Sequence, residues 1–378
     1  MISSQKQIYL DYAASTPVDP RVAEVMQDAT MRVFGNASSI HGFGLQAKKI
    51  LDETREIIAS YLGAKNDEVF FTSGGTESNN LAIQGIARHN EQPGHIITSA
   101  IEHPSILETC RFLKKNGWDI TFLPANKTGV VNPDELADSI HSDTVLVSIQ
   151  HVNNEIGSIN SIQECAMIAW QKGIPFHTDA VQSFGKLPID LHHIPASLLS
   201  FTGHKIYGVK GAGVLIIRRK TRLDKLMHGG AQENKMRSGT ENIPAIAALG
   251  KAVQLLKEQG ESDRRHMELL GQQLRVLMQA KIPKAILNGS EKGVPNIQNY
   301  AIPGIDNMSL LMGMDLAGVA ISNGSACSSG SVSPSHVLQA LHLPGHLLKS
   351  SFRISFGRFT TAEEIEFAVE KLAILVQK

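Results

Sequence analysis

A small set of residues in this chain could carry covalent chemistry, and each follows or lies close to an apolar run. Lys205 stands in Thr202-Gly203-His204-Lys205-Ile206-Tyr207-Gly208. In such a partly buried place a lysine has a depressed pKa and becomes a nucleophilic amine that can form a Schiff base. Lys210, set among Gly208, Gly211 and Gly213, reads as a solvated cation, and a plain surface role is the bland reading of either lysine. Asp179 closes Phe176-His177-Thr178-Asp179, a run otherwise made for burial, so its carboxylate needs a cationic partner. A protonated pyridine nitrogen is one such partner, and a helix N-cap is the commoner use of aspartate after a strand. Ser73-Gly74-Gly75-Thr76-Glu77 opens a further apolar helical run. Its glycines and free N–H groups, with the Thr76 hydroxyl, suit an anion such as phosphate. It lacks the Gly-Lys-Ser/Thr of a Walker A loop and the GxGxxG of a dinucleotide fold, and alone it reads equally as a capped glycine turn.

These residues must be held by a sheet. Seven apolar runs, Val69 to Thr72, His95 to Ser99, Ile120 to Leu123, Val145 to Gln150, Ile174 to Thr178, Leu198 to Thr202 and Gly213 to Arg218, alternate with helical patterns. Within Leu45 to Leu62, for example, Ile50, Leu51, Ile57, Ile58 and Leu62 recur at helical spacing. Continuous apolar strands covered by helices on both faces predict a mainly parallel, doubly wound seven-stranded sheet. In such a sheet the ligand sits beyond the carboxyl ends of the strands. A charge-rich helical segment from Ala245 to about Lys281, expected to be interrupted at Gly260, leads into a smaller α/β part with Ile297 to Ile302, Gly318 to Ile321, Ser351 to Phe356 and a helix from Ala362. The expected division is a large domain over residues 14–258, with residues 1–13 and 259–378 forming a small one.

Composition narrows the function classes. The chain has 378 residues, 42% hydrophobic and 19% charged, enough apolar material for a large core and too much for a disordered chain. Lys+Arg 36 balance Asp+Glu 36, so no bulk positive field favours nucleic acid or an anionic membrane. Three cysteines, Cys110, Cys165 and Cys327, make neither a disulfide framework nor a CxxC metal site. No stretch approaches the ~20 apolar residues of a bilayer span and the start has no signal pattern. A cytoplasmic protein is expected.

Taken together in chain order, the cradle, the strand-end aspartate and the strand-end lysine resemble the pyridoxal-phosphate-dependent cysteine desulfurases, of the aspartate-aminotransferase fold. The resemblance covers essentially the whole chain. It is carried by YLDYAASTPVDP from Tyr9, FGNASSIHGFG from Phe34, TSGGTESNN from Thr72, IEHPS from Ile101 and HVNNEIG from His151. HTDAVQSFGKLPID from His177, SFTGHKIYGVKGAG from Ser200, HGGAQENKMRSGTEN from His228, SNGSACSSG from Ser322 and RISFGRFTT from Arg353 continue it. The resemblance implies pyridoxal 5′-phosphate as cofactor, held by Lys205 as a Schiff base, with Lys205 then moving protons at the substrate α-carbon. Asp179 would pair with the pyridine nitrogen, Gln182 and Asn154 would bond the phenolic oxygen and nearby substrate, and His103 would stack on the ring and share acid/base work. Gly75, Thr76, Thr202 and His204 would hold the phosphate, and Thr240 would reach the phosphate of a partner subunit in a homodimer. Arg353 would clamp the substrate carboxylate, with Arg358 the nearby competitor for that role.

Cys327 separates desulfuration from transamination. It lies in Ser322-Asn323-Gly324-Ser325-Ala326-Cys327-Ser328-Ser329-Gly330-Ser331, where small side chains give little anchorage and imply mobility. The expected reaction converts L-cysteine to L-alanine, with sulfur left on Cys327 as a persulfide for an acceptor protein in iron–sulfur assembly or tRNA thiolation. Cys110 and Cys165 sit in amphipathic helical runs and read as packing residues. A selenocysteine lyase and an aminotransferase are the alternatives within the same fold, and a scaffold built on an inactive fold is the non-enzymatic one. Gly75 stands where the family often has alanine and Ala37 where it has proline. The sequence ends soon after its last helix, whereas longer scaffold-type relatives carry a further tail, so the acceptor stays open.

Overall fold

The computed structural model describes residues 7–324 and 334–377. All seven expected runs of the first two thirds form strands, with ends displaced by at most a few residues. They join in one sheet in the order Val69–Thr72, Gly213–Ile217, Leu198–Thr202, Phe176–Asp179, Thr144–Ser148, His95–Ser99 and Asp119–Leu123. Gly213–Ile217 runs antiparallel to both neighbours, and the other pairings are parallel. Successive side chains of a strand point to opposite faces. Ile96, Leu146, Leu198 and Leu215 therefore join a core cluster with Leu81 and Ile86 of helix Gly75–His89 and Ile106 of helix Pro104–Lys115. Ile97, Val147, Leu199 and Val214 join a second cluster with Leu51 and Ile58 of helix Gly42–Leu62. Burial on both faces is why these strands read as unbroken apolar runs rather than as alternation.

The helix from Ile243 to Lys281 is continuous for 39 residues, so the interruption expected at Gly260 does not occur. A glycine costs a helix about 1 kcal/mol relative to alanine, and packing on either side outweighs this. Ile246, Leu249 and Val253 enter one core cluster, while Met267, Leu270, Leu274 and Met278 enter another. That second cluster holds Phe352 and Ile354 of an antiparallel three-stranded sheet (Ser351–Ser355, Ile297–Ala301, Ile286–Asn288) and Val369 of helix Ala362–Val376. It also holds Ile8 and Leu10, because strand Ile8–Tyr9 pairs in parallel with Val319–Ala320. The chain's first described residues thus pack with its last third, and Ala13 and Ala14 are carried to the carboxyl ends of the large sheet's strands, where they line a cavity.

Candidate active site

The cavity, of about 260 Å³, lies where parallel strands end. It brings together Gly75, Thr76, His103, Asn154, Asp179, Gln182, Thr202, His204, Lys205 and Arg353, ten of the twelve site residues expected from sequence. Cys327 lies outside the described residues. Thr240 is exposed and lines a separate recess with Arg237 and Glu241.

Lys205 ends a short turn, Gly203–Lys205, directly after strand Leu198–Thr202. Its Nζ donates to the carbonyls of Ala13 and, at 2.6 Å, Ala14. Lys210 is exposed, as its glycine setting implies. Asp179 closes its strand and is buried. Its Oδ1 accepts from the Val181 N–H at 2.9 Å and its Oδ2 from Asn79 Nδ2 at 2.8 Å. Both donors are neutral, so the carboxylate's charge remains to complement a cation placed in the cavity.

Asn79 extends a chain of hydrogen bonds that sequence reading missed. Its Nδ2 also donates to Ser105 Oγ at 2.9 Å, and Ser105 Oγ lies 2.8 Å from His103 Nδ1. The Ser105 backbone N–H donates to the same Nδ1 at 3.1 Å. An amide N–H can only donate, so Nδ1 offers its lone pair and the neutral ring carries its proton on Nε2. Burial pushes His103 below the usual histidine range, which the Asp179 charge opposes and Lys205 and His336 reinforce.

Gly74 and Gly75 begin helix Gly75–His89 with no side-chain cap on its free N–H groups, so the capped-turn reading fails and an anion cradle remains. Space is tight at Gly75, since a Cβ there would sit 2.8 Å from Val181 Cγ2 and the valine would have to shift. His204 is pushed down to about 4 by burial first and then by Lys205, Lys210 and Lys186. Thr202 donates its hydroxyl to the Ala212 carbonyl at 2.9 Å, so toward the cavity this oxygen offers lone pairs.

The two arginines of RISFGRF are used differently. Arg353 is 1% exposed yet lines the cavity. Its Nη1 donates to the carbonyls of Asn154 (2.7 Å) and Gly324 (2.8 Å), its Nη2 to Asp11 Oδ1 (2.6 Å), and its Nε has no partner among the described residues. Nε and Nη2 form one edge of the guanidinium, the edge a carboxylate grips bidentately. Arg358 instead bonds Asp263 and Asp19 and stacks 4.1 Å over the Tyr207 ring. It holds the Asp19 and Asp263 segments together and does not line the cavity. Cys110 and Cys165 are fully buried, and burial pushes both thiols up to about 12.

A strand-end amine, a buried carboxylate awaiting a cation and a helix-terminal anion cradle, all facing one cavity, fit pyridoxal 5′-phosphate group by group. Lys205 would hold the aldehyde, Asp179 would pair with the ring nitrogen and the Gly75–Thr76 turn would hold the phosphate, so the class is that of fold-type-I pyridoxal-phosphate enzymes.

Known proteins agree. Residues 8–367 match the model of the family "Aminotransferase class-V". The chain is 45% identical over 377 residues to the cysteine desulfurase IscS of Dictyoglomus turgidum, covering 99% of this chain and 95% of that one. It is 47% identical over 370 residues to the IscS of Pectobacterium atrosepticum, covering 96% and 91%. Among solved structures, a NifS-like protein superposes with a TM-score of 0.92 at 32% identity, covering 98% of this chain and 99% of that one. A structure described as SspA in complex with cysteine gives 0.83 at 37% identity, covering 94% and 100%. The chain belongs to the class V aminotransferase family as a pyridoxal-phosphate-dependent cysteine desulfurase.

Proposed function

We propose that the chain desulfurates L-cysteine with Lys205, His103, Arg353 and Cys327 in direct roles. When bound, pyridoxal phosphate supplies an electron sink at the substrate α-carbon. Asp179 keeps the ring nitrogen protonated, and Gln182 and Asn154 bond the phenolic side. The helix-terminal N–H groups at Gly75 and Thr76, with His204, hold the phosphate. Arg353 takes the substrate carboxylate on its Nε–Nη2 edge, and Asp11 yields part of that edge. Lys205 carries the proton to and from the α-carbon, and the Nε2–H of His103 serves as the neighbouring donor.

Cys327 thiolate then attacks the substrate sulfur. A sulfur–sulfur bond forms as the carbon–sulfur bond breaks, the electron pair returns to the carbon skeleton, and protonation there yields alanine. No external oxidant or reductant is needed, because the enzyme thiol gains the sulfur that the substrate loses. The observation that carries this assignment is the 2.8 Å bond from Arg353 to the Gly324 carbonyl. Cys327 follows three residues later, a span of about 10 Å at full extension, so its thiol can reach a carboxylate-anchored substrate. The other side of the segment is tied as well, through Ser335 Oγ donating to buried Glu155.

We further infer a cytoplasmic homodimer in which Thr240 serves the partner's phosphate, and a sulfur acceptor in iron–sulfur assembly or tRNA thiolation. Borohydride reduction of the cofactor-loaded protein followed by peptide mapping tests the anchor. A label on Lys205 supports the reading, and a label on Lys210 overturns it.

A further inference from the structure

Lys186 lies in the turn after the Asp179 strand and does not line the cavity. Its Nζ donates to Gln182 Oε1 at 2.9 Å, while Gln182 Nε2 donates at 2.8 Å to the Ala13 carbonyl, which also accepts from Lys205. The Ala13 carbonyl, on the cavity wall, can only accept, so the Gln182 N–H₂ faces it and the amide oxygen is turned to Lys186, whose ammonium form can only donate. The backbone enforces this arrangement. Gly185 has φ +78 and a Cβ there would meet Leu256 Cδ1 at 2.7 Å, while Lys186 N bonds the Ser183 carbonyl.

Among the described residues no carboxylate pairs with Lys186. The charged groups whose fields reach it, Lys205 and Arg353, both repel it, and burial pushes its ammonium down to about 7. His204 feels Lys186 in turn. A half-buried cation with no carboxylate partner among the described residues gains from an opposite charge nearby, and the group that would balance it is an anion in the adjoining cavity.

We propose that Lys186 is a positioning residue of the cofactor site, fixing the Gln182 amide with its N–H₂ toward the cavity and lending that donor positive charge for the cofactor's anionic phenolic oxygen. The inference rests on the pyridoxal-phosphate reading above. No part of it requires Lys186 to touch substrate or cofactor.

The test compares Lys186→Met, Lys186→Arg and Lys186→Gln with Gln182→Leu and the Lys186→Met/Gln182→Leu double variant. The readouts are the affinity of each apoprotein for pyridoxal 5′-phosphate by calorimetry, the pH midpoint of the bound cofactor's visible band, and thermal unfolding. A nearby cation makes the bound cofactor harder to protonate. Lys186→Met is therefore expected to weaken binding about tenfold and to move the midpoint up by roughly half to one pH unit. Lys186→Arg should restore most of both effects, and Lys186→Gln, which can still bond Oε1, should keep affinity better than midpoint. In the Gln182→Leu background the Lys186→Met change should add little, because coupled sites are not additive. Wild-type affinity and midpoint in Lys186→Met, or equal effects in both backgrounds, would overturn the proposal. If Lys186→Met does not fold, the Lys186→Gln midpoint decides, and an unchanged value rejects it. Wild-type protein that takes up no cofactor would instead overturn the functional reading itself.

Discussion

The two ends of the cavity are built by different means. The end proposed for the cofactor hangs from strand ends of one sheet, with Asp179 closing a strand, Lys205 in the turn after another, and Gly75 at a helix start. The end proposed for the substrate is assembled across the whole chain, where Arg353 binds Asp11, Asn154 and Gly324. A mainly parallel sheet fixes where its strand ends lie, so the first end shows in local sequence. The second depends on long-range docking. It joins the chain's beginning to its last third and ties down both sides of the cysteine-bearing segment. This division suits a reaction in which the cofactor stays put while a substrate and a sulfur must enter and leave.

Variants can break either end separately. At the cofactor end, Lys205→Ala is expected to lower alanine production by about 10³-fold or more, the scale of a lost nucleophile and proton carrier. Cofactor should still bind through the anion cradle, as equilibrium dialysis would report.

At the substrate end, Arg353→Lys loses the bidentate edge and frees Asp11. The KM for L-cysteine should rise by about 10²-fold, with the cofactor's spectrum retained. Arg358→Met is the control. Because Arg358 binds Asp19 and Asp263 away from the cavity, it should cost about 3 kcal/mol of stability, read by denaturant unfolding, with KM unchanged.

Buried Glu102 separates pH effects on stability from those on chemistry. Desolvation raises its carboxyl to about 8, against hydrogen bonds from Ser99 and Gln150. The folded state therefore holds this proton more tightly than the unfolded state does. Its contribution to stability is fully present below the unfolded value of 4.5 and is lost as pH rises toward 8. Glu102→Gln should unfold at a temperature that gains on wild type as pH rises from 6 to 8.5, and a constant difference would reject the assignment.

The smallest expected effect is at Gly75→Ala. Its Cβ would press on Val181, costing about 1–3 kcal/mol and loosening the phosphate end. Val181→Ala in the same chain should restore cofactor affinity, and failure to do so would show that Gly75 matters for something other than space.

What the sequence revealed follows the same division. Continuous apolar runs marked the seven strands, and residues just past them marked Lys205, Asp179 and His103, because strand ends convert chain position into spatial position. The continuity of the helix through Gly260 was not legible, since two core clusters that are distant in sequence stabilise it. Ser105 was missed because a short polar side chain in a helix's first turn reads as a cap, and Asn79 because nothing local marks a helical asparagine as the partner of a strand-end carboxylate. Asp11 was missed because nothing local announces that an N-terminal aspartate meets an arginine at position 353. Lys186 was not singled out, because nothing in its residue type or immediate neighbours sets it apart. The signal that could have found it was its place four residues after Gln182, on a glycine that bends the chain back.

Sulfur transfer to Cys327 is tested by mixing cofactor-loaded protein with L-cysteine, followed by alanine quantification and peptide mass spectrometry under non-reducing conditions. One sulfur atom is expected on the Cys327 peptide in proportion to alanine formed, and neither product in Cys327→Ser. Sulfur appearing on Cys110 or Cys165 instead, or undiminished alanine from Cys327→Ser, would contradict it.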